Sequence, residues 1–499
     1  MNDKRKNDMT DVLIIGSGFS GIGAGIQLKK AGFTFIILER ESDIGGTWRD
    51  NTYPGIAVDI TSFTYSYSFE QNPNWSRVFA PGNELFDYAN HCVDKYQIRD
   101  YFVFNATVIE TFFHEKNKIW TTKLSSGKTY QSRFIISATG ALTDPNFPDI
   151  KGINNFKGEL IHTARWKQDI DLKNKRVAVI GTGATSVQLI PTIAPIVKQL
   201  DVYQRTPIWI SPKPDAVIPR YIQNIFSSIP FTQQTIRKIT DAITEQVMVT
   251  AVVKNKQLPF MIKYLENACL RNLHKQVKDP VLREKLTPKY GFGCKRPSFS
   301  SDYYPTFNRK NVELITDGIE EITANSIITK YGTERKMDTL ITATGFKVME
   351  NNTMVNYKVL GKNKKDLSEY WQQNRLHAYH GCSIPDFPNL FIIFGPYSAS
   401  GLSWFDMIEI QLNHILRVLN ENKKRGTATV EIKKEANENY FKYILEKQQN
   451  TVFFNNNCAG ANSYYFDQFG DAPFLRPLSV SASKKYSLTS DLNHYTYST

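Results

Sequence analysis

The chain has 499 residues, enough for two or three domains around substantial cores. Hydrophobic residues make up 41% and charged residues 22%, as is ordinary for a folded soluble protein. The net charge is +13, from 61 Lys and Arg against 48 Asp and Glu. That balance suits solubility, attraction of anionic cofactors, or contact with a membrane surface. It does not point to nucleic acid, because the sequence has no concentrated basic tract and no RRM, helix-turn-helix or zinc-finger pattern. No apolar run approaches the ~18 residues that would span a bilayer. The opening MNDKRKND is basic but runs straight into a strand, so it does not read as a signal peptide, and the cytoplasm is the expected location. The five cysteines are scattered and form no CxxC pair. They predict a reducing compartment, with neither a disulfide framework nor a zinc site. His377 and His380 have HxxH spacing but no third ligand nearby, so no metal is expected.

Residues 11–15 (DVLII) read as a buried parallel strand, residues 19–30 as a helix closed by Gly32, and residues 33–38 (FTFIIL) as a second strand. Together they make one βαβ unit. The pattern recurs at residues 176–180 (RVAVI), followed by a glycine turn, a helix shortened or kinked by Pro191 and Pro195, and a returning strand at 200–204. Residues from about 220 to 288 are helical in period and poor in glycine. Strand character returns in NVELI, DTLITATGF and NLFIIFGP. The polar tail after Ser479 suggests no definite element.

The first glycine turn, Gly16-Ser17-Gly18-Phe19-Ser20-Gly21, fits GxGxxG between strand and helix. Gly16 permits the tight turn, Gly18 lets the backbone approach a pyrophosphate, and Gly21 lets the helix pack on the sheet. The helix N-terminus offers free N–H groups to phosphate. Glu39 ends the second strand, close to the ~20-residue spacing at which an acid meets ribose hydroxyls and repels a 2′-phosphate. The following Gly45-Gly46-Thr47-Trp48 allows a second close approach to a dinucleotide. In the second turn, Gly181-Thr182-Gly183-Ala184-Thr185-Ser186, Ser186 stands where a third glycine would sit. Arg205, not an acid, ends its second strand, and a guanidinium there suits a 2′-phosphate. An acid at one site and a base at the other divide the cofactors: FAD first, NADPH second. The fold class is α/β, with two Rossmann-type dinucleotide-binding domains and a helical insertion.

Between the two units, Phe156-Lys157-Gly158 and His162-Thr163 through Trp166 resemble the FxGxxxHTxxW fingerprint of Baeyer–Villiger monooxygenases, a group of class B flavoprotein monooxygenases. Lys167 follows where that pattern places Pro or Asp. The resemblance extends along nearly the whole chain. Tyr53-Pro54-Gly55 with Asp59 looks like the family's YPGxxxD, and residues 137–140 and 342–345 look like its two ATG turns. Cys294-Lys295-Arg296-Pro297 looks like its KRP segment, and residues 458–477 like its late active-site region, here without the tryptophan relatives often carry.

The resemblance implies that NADPH reduces FAD and that the reduced flavin captures O₂ as a C4a-peroxide. This species inserts one oxygen into a ketone or aldehyde to give an ester or lactone, with NADP retained. It implies Arg296 as the catalytic cation that stabilises the anionic oxygen, Asp59 as the acid that positions it, and Lys295 with Arg205 as the 2′-phosphate contacts. His162 is implied to hold the interdomain linker, not to act as a base. The implied division is 1–155 and 338–499 for the FAD domain with the C-terminal segment, 156–219 and 291–337 for the NADP domain, and 220–290 for the insertion. Two alternatives stay open: oxygenation of an amine or sulfide, and a non-catalytic redox sensor or peripheral membrane protein. The substrate and the oligomeric state are not legible.

Overall fold

The computed structural model describes residues 9–348, 354–399 and 401–499. The basic opening stretch lies outside the described residues. Thr10–Ile15 sits inside an eight-stranded sheet, between the parallel strands Phe35–Leu38 and Thr129–Ser137. Val12, Leu13 and Ile14 are fully buried, as the unbroken apolar run predicts for a strand covered on both faces. Each such side chain contributes about 1.5–3 kcal/mol of burial. Phe19–Lys30 covers this sheet closely: a Cβ added to Gly25 would lie 2.9 Å from the Ile37 side chain. The sheet also takes strands from the distant C-terminal half. Lys358–Leu360 pairs with Val108–His114, and Leu390–Ile392 pairs with Thr129–Ser137. The chain therefore leaves this domain and comes back to it.

A second, five-stranded sheet has the order Val312–Ile315, Gln199–Tyr203, Arg176–Ile180, Thr339–Thr342, Glu159–His162. Its pairings are all parallel. Thr339–Thr342 belongs to this sheet, and the next strand of the first sheet is Lys358–Leu360. Ala184–Ile193 is the helix of the second βαβ unit, and it runs through Pro191 before ending.

The predicted insertion is helical. Arg220–Ser228, Pro230–Thr244, Pro259–Gln276 and Pro280–Leu286 are its main helices, three of them opened by a proline whose missing N–H costs nothing at that position. Buried Arg237 ties the insertion to the first domain by donating to the Ser66 carbonyl (2.7 Å). The tail after Ser479 is ordered: Val480–Thr489 is a helix, and Tyr495–Ser498 pairs antiparallel with Thr429–Ile432.

The cysteine expectation needs correction. Cys294 and Cys458 are joined in a disulfide with a Cα–Cα distance of 5.2 Å, while Cys92, Cys269 and Cys382 are buried free thiols. Local spacing could not reveal a pair 164 residues apart. Cysteine usage therefore no longer argues for a reducing compartment. Among the described residues, no helix is long and apolar enough to cross a membrane, and no group of His, Cys, Asp and Glu could hold a metal ion.

Candidate active site

Steric demands at the first glycine turn are strict. Gly16 has φ +105°, and a Cβ there would lie 2.6 Å from the Ala138 carbonyl oxygen. At Gly21 the Cβ would lie 1.9 Å from the Gly16 carbonyl oxygen. Gly18 caps the helix with no side chain bonded to the first turn, leaving that turn's N–H groups for an anion. Glu39 is 6% exposed and holds the turn: its Oε2 accepts from Ser17 N (2.9 Å) and Ser17 Oγ (2.6 Å). The Gly45-Gly46 pair folds back onto the same turn. Gly45 N donates to the Ser17 carbonyl (3.1 Å), and a Cβ on Gly46 would sit 3.0 Å from the Gly18 Cα. Thr47 and Trp48 open the short helix that follows, where Trp48 Nε1 donates to Tyr65 Oη (3.1 Å). Gly16, Gly18, Gly21, Glu39, Gly46, Thr47 and Trp48 thus converge on one cradle, and its small-residue floor and free helix N-terminus fit a dinucleotide.

The second turn repeats the plan. Gly181 has φ +112°, and its Cβ would lie 2.5 Å from the Ala343 carbonyl oxygen. Each first glycine therefore abuts the alanine of an ATG turn. Around Gly183, no atom of the described residues lies within 4 Å of an added Cβ, so a phosphate has room to approach. Ser186 is fully buried, and its Oγ has no hydrogen-bond partner among the described residues. Arg205 is exposed just beyond Gln199–Tyr203. Lys295, far away in sequence, comes close to it: burial first, and then the Arg205 charge, lower the Lys295 ammonium pKa. Two cations within electrostatic reach of each other fit a doubly charged phosphate ester.

Asp59, from the YPGxxxD-like segment, and Arg296, next to Lys295 in the chain, meet as an ion pair. Arg296 Nε and Nη2 donate to the Asp59 carboxylate at 3.0, 2.8 and 2.7 Å. The Asp59 charge raises the guanidinium pKa further and outweighs desolvation. The Arg296 side chain keeps 44% of its surface exposed, so the paired cation still presents a face. A cation held in this way can bind an oxyanion without reorganising.

Two groups around this pair escaped the sequence reading. Gln188, on the second unit's helix, accepts from Tyr53 Oη (2.9 Å) and donates to the Ala57 carbonyl (2.9 Å), docking the YPG segment. Gly55, φ +84°, presses against Thr192 on that helix. Tyr464 and Tyr465, from the C-terminal segment, lie within electrostatic reach of Arg296, and burial raises both phenol pKa values. No motif flagged either group, although the pair YY inside the family-like late segment was a usable signal.

Comparison with known proteins agrees with this layout. A protein-family model described as pyridine nucleotide-disulphide oxidoreductase matches residues 13–260, which include both glycine turns. A Baeyer-Villiger monooxygenase of Pseudomonas aeruginosa is 38% identical over 456 residues, covering 91% of this chain and 85% of its own. Another from Streptomyces coelicolor is 35% identical, covering 97% and 92%. The chain belongs to the Baeyer–Villiger monooxygenase family. Among solved structures, a steroid monooxygenase bound to NADP superposes with a TM-score of 0.88 at 26% identity, covering 98% of this chain and 100% of that one. OTEMO in complex with FAD and NADP superposes with a TM-score of 0.86 at 27% identity, covering 99% and 100%.

In this monooxygenase His162 ends the edge strand Glu159–His162 of the second sheet, beside the return crossing. It is buried, and its Nδ1 accepts from Ala164 N (3.1 Å). Phe147 and Phe346 flank its ring. Burial, then the Arg165 charge, pull its pKa down to about 4, so it is neutral near pH 7. A neutral, enclosed imidazole at a chain crossing suits a structural clamp.

Proposed function

We propose that this monooxygenase binds FAD in the Gly16–Glu39 cradle and NADPH in the Gly181–Arg205 cradle, and that it converts a ketone or aldehyde into an ester or lactone. Bound FAD, once reduced by NADPH, supplies the O₂ chemistry. The chain's residues bind and orient. Glu39 accepts from the FAD ribose hydroxyls, while Arg205 and Lys295 hold the 2′-phosphate of NADPH. Asp59 aims Arg296 and keeps it charged. Arg296 offers its open face to the anionic oxygen that attacks the carbonyl and to the adduct that forms. Domain limits follow the same division, with the NADP domain closing at residues 343–345.

The observation carrying this reading is the bidentate Asp59–Arg296 pair, whose arginine directly follows Lys295 in the chain. It is tested with Arg296→Ala. NADPH still bleaches the flavin in this variant, and ester formation from a cyclic ketone is abolished. Intact oxygenation would remove Arg296 from its role. Product analysis with a sulfide in parallel separates carbonyl from heteroatom oxygenation.

A second reading concerns placement, and exposed apolar side chains favour it. Tyr221 and Ile225 are exposed at helical spacing on one insertion helix, Ile239 and Ile243 on the next, with exposed Ile229 between the helices and exposed Lys238, Lys254 and Lys256 in the same insertion. Apolar stripes among lysines suit peripheral contact with an anionic lipid surface. Sedimentation with phosphatidylglycerol vesicles, lost in Ile239→Asp, tests it; failure of the unmutated protein to bind sinks it.

A further inference from the structure

Cys294 immediately precedes Lys295 and Arg296, and Cys458 opens the segment that carries Tyr464 and Tyr465. The disulfide therefore ties the Arg296 segment to a stretch, residues 456–479, that contains neither helix nor strand. Beside it, Gly291 N donates to the Asn457 carbonyl (2.7 Å), Asn456 Nδ2 to the Phe292 carbonyl (3.3 Å), and Asn462 Nδ2 to Thr206 Oγ1 (2.9 Å), next to Arg205. Residues from Tyr464 onward are anchored separately, by ring contacts with Phe453 and by Arg375 and Gln448 on Asp471. The tether thus joins the segment of Lys295 and Arg296 to a stretch that also reaches Thr206, beside Arg205. A crosslink between distant residues removes much of the freedom such a segment would otherwise have.

The two sulfurs differ in access. Cys294 is fully buried, whereas Cys458 is half-buried between exposed Asn457 and Ala459. The other three cysteines are buried.

We propose that the Cys294–Cys458 pair is a redox-modification site, reduced by an external dithiol, and that its reduction frees residues 456–463 from the Arg296 segment. The thiolate of the dithiol attacks Cys458 Sγ; the S–S bond breaks, and Cys294 leaves as a thiolate and takes a proton. The second thiol of the reductant then attacks the mixed disulfide, releasing Cys458 as a thiol and closing the reductant's own disulfide. Two electrons and two protons pass to the chain. Once free, the segment no longer holds Asn462 against Thr206. The effect on NADP rests on the placement of Arg205 and Lys295 proposed above; the opening of the segment does not.

The test compares the purified holoenzyme before and after dithiothreitol. Alkylation after denaturation is expected to label three cysteines before reduction and five after it. Limited proteolysis within residues 456–463 should become several-fold faster on reduction, and the Kd for NADP⁺ should rise several-fold. Cys458→Ser should behave as the reduced form with or without dithiothreitol. Five labelled cysteines without reductant, or equal cleavage in both states, overturns the proposal. Faster cleavage at unchanged NADP⁺ affinity upholds the tether and overturns the placement of Arg205 and Lys295.

Discussion

The two glycine turns meet the same steric demand and differ at their far ends. Gly16 and Gly181 both adopt a positive φ and both press on an alanine carbonyl, Ala138 in one case and Ala343 in the other. One unit then ends in buried Glu39, the other in exposed Arg205 with Lys295 beside it. Backbone packing sets the shape of the cradle, and under the proposed division of cofactors the charge at the strand end selects the dinucleotide. The third position differs as well: Gly21 has no room for a side chain, whereas Ser186 fits.

The largest expected effect comes from breaking the shared steric feature at one site only. Gly16→Ala puts a Cβ against the Ala138 carbonyl at a strained φ, so the purified protein should contain little or no flavin. Gly181→Ala should keep its flavin spectrum and lose NADPH-driven reduction. If both variants lose flavin, the division of cofactors between the cradles is wrong.

Next in size is the charge difference. Removing a charge-assisted contact costs about 1.5–3 kcal/mol, so Arg205→Ala should raise the KM for NADPH by about tenfold or more. The KM for NADH should stay nearly unchanged. An equal response to the two nucleotides would sink the 2′-phosphate assignment.

A smaller effect comes from His162, beside the second ATG crossing. Its folded pKa, about 4, lies below the unfolded value near 6.5. The stability this contributes is present above pH 6.5 and is lost as the pH falls to about 4. Thermal melts across that range should fall more steeply for the unmutated protein than for His162→Gln. Identical slopes would mean that His162 is already charged in the native state.

The smallest effect is at the third position. Ser186→Gly removes an unpartnered hydroxyl but places glycine in a helix, which costs about 1 kcal/mol. Stability and NADPH affinity should change little, whereas Gly21→Ser should abolish flavin binding. A large effect of Ser186→Gly would show that the hydroxyl has a partner in the bound state.

By itself, the sequence determined the two βαβ units, the glycine turns, the acid and the base at their ends, and the helical character of the insertion. Each of these is written in short-range spacing: an unbroken apolar run, a glycine where φ must be positive, a charge one strand later. The family-like fingerprints added Asp59, Lys295 and Arg296, whose roles no local pattern conveys. Only the tertiary structure decided the Cys294–Cys458 bond, the clasp of Gln188 on Ala57, and the placing of Lys295 within electrostatic reach of Arg205 and of Tyr464 and Tyr465 within that of Arg296. It also ordered the tail, whose last strand pairs with Thr429–Ile432. These contacts join residues scores to hundreds of positions apart. Their partners are chosen by how the two sheets and the insertion pack, and periodicity along the chain carries no record of that choice.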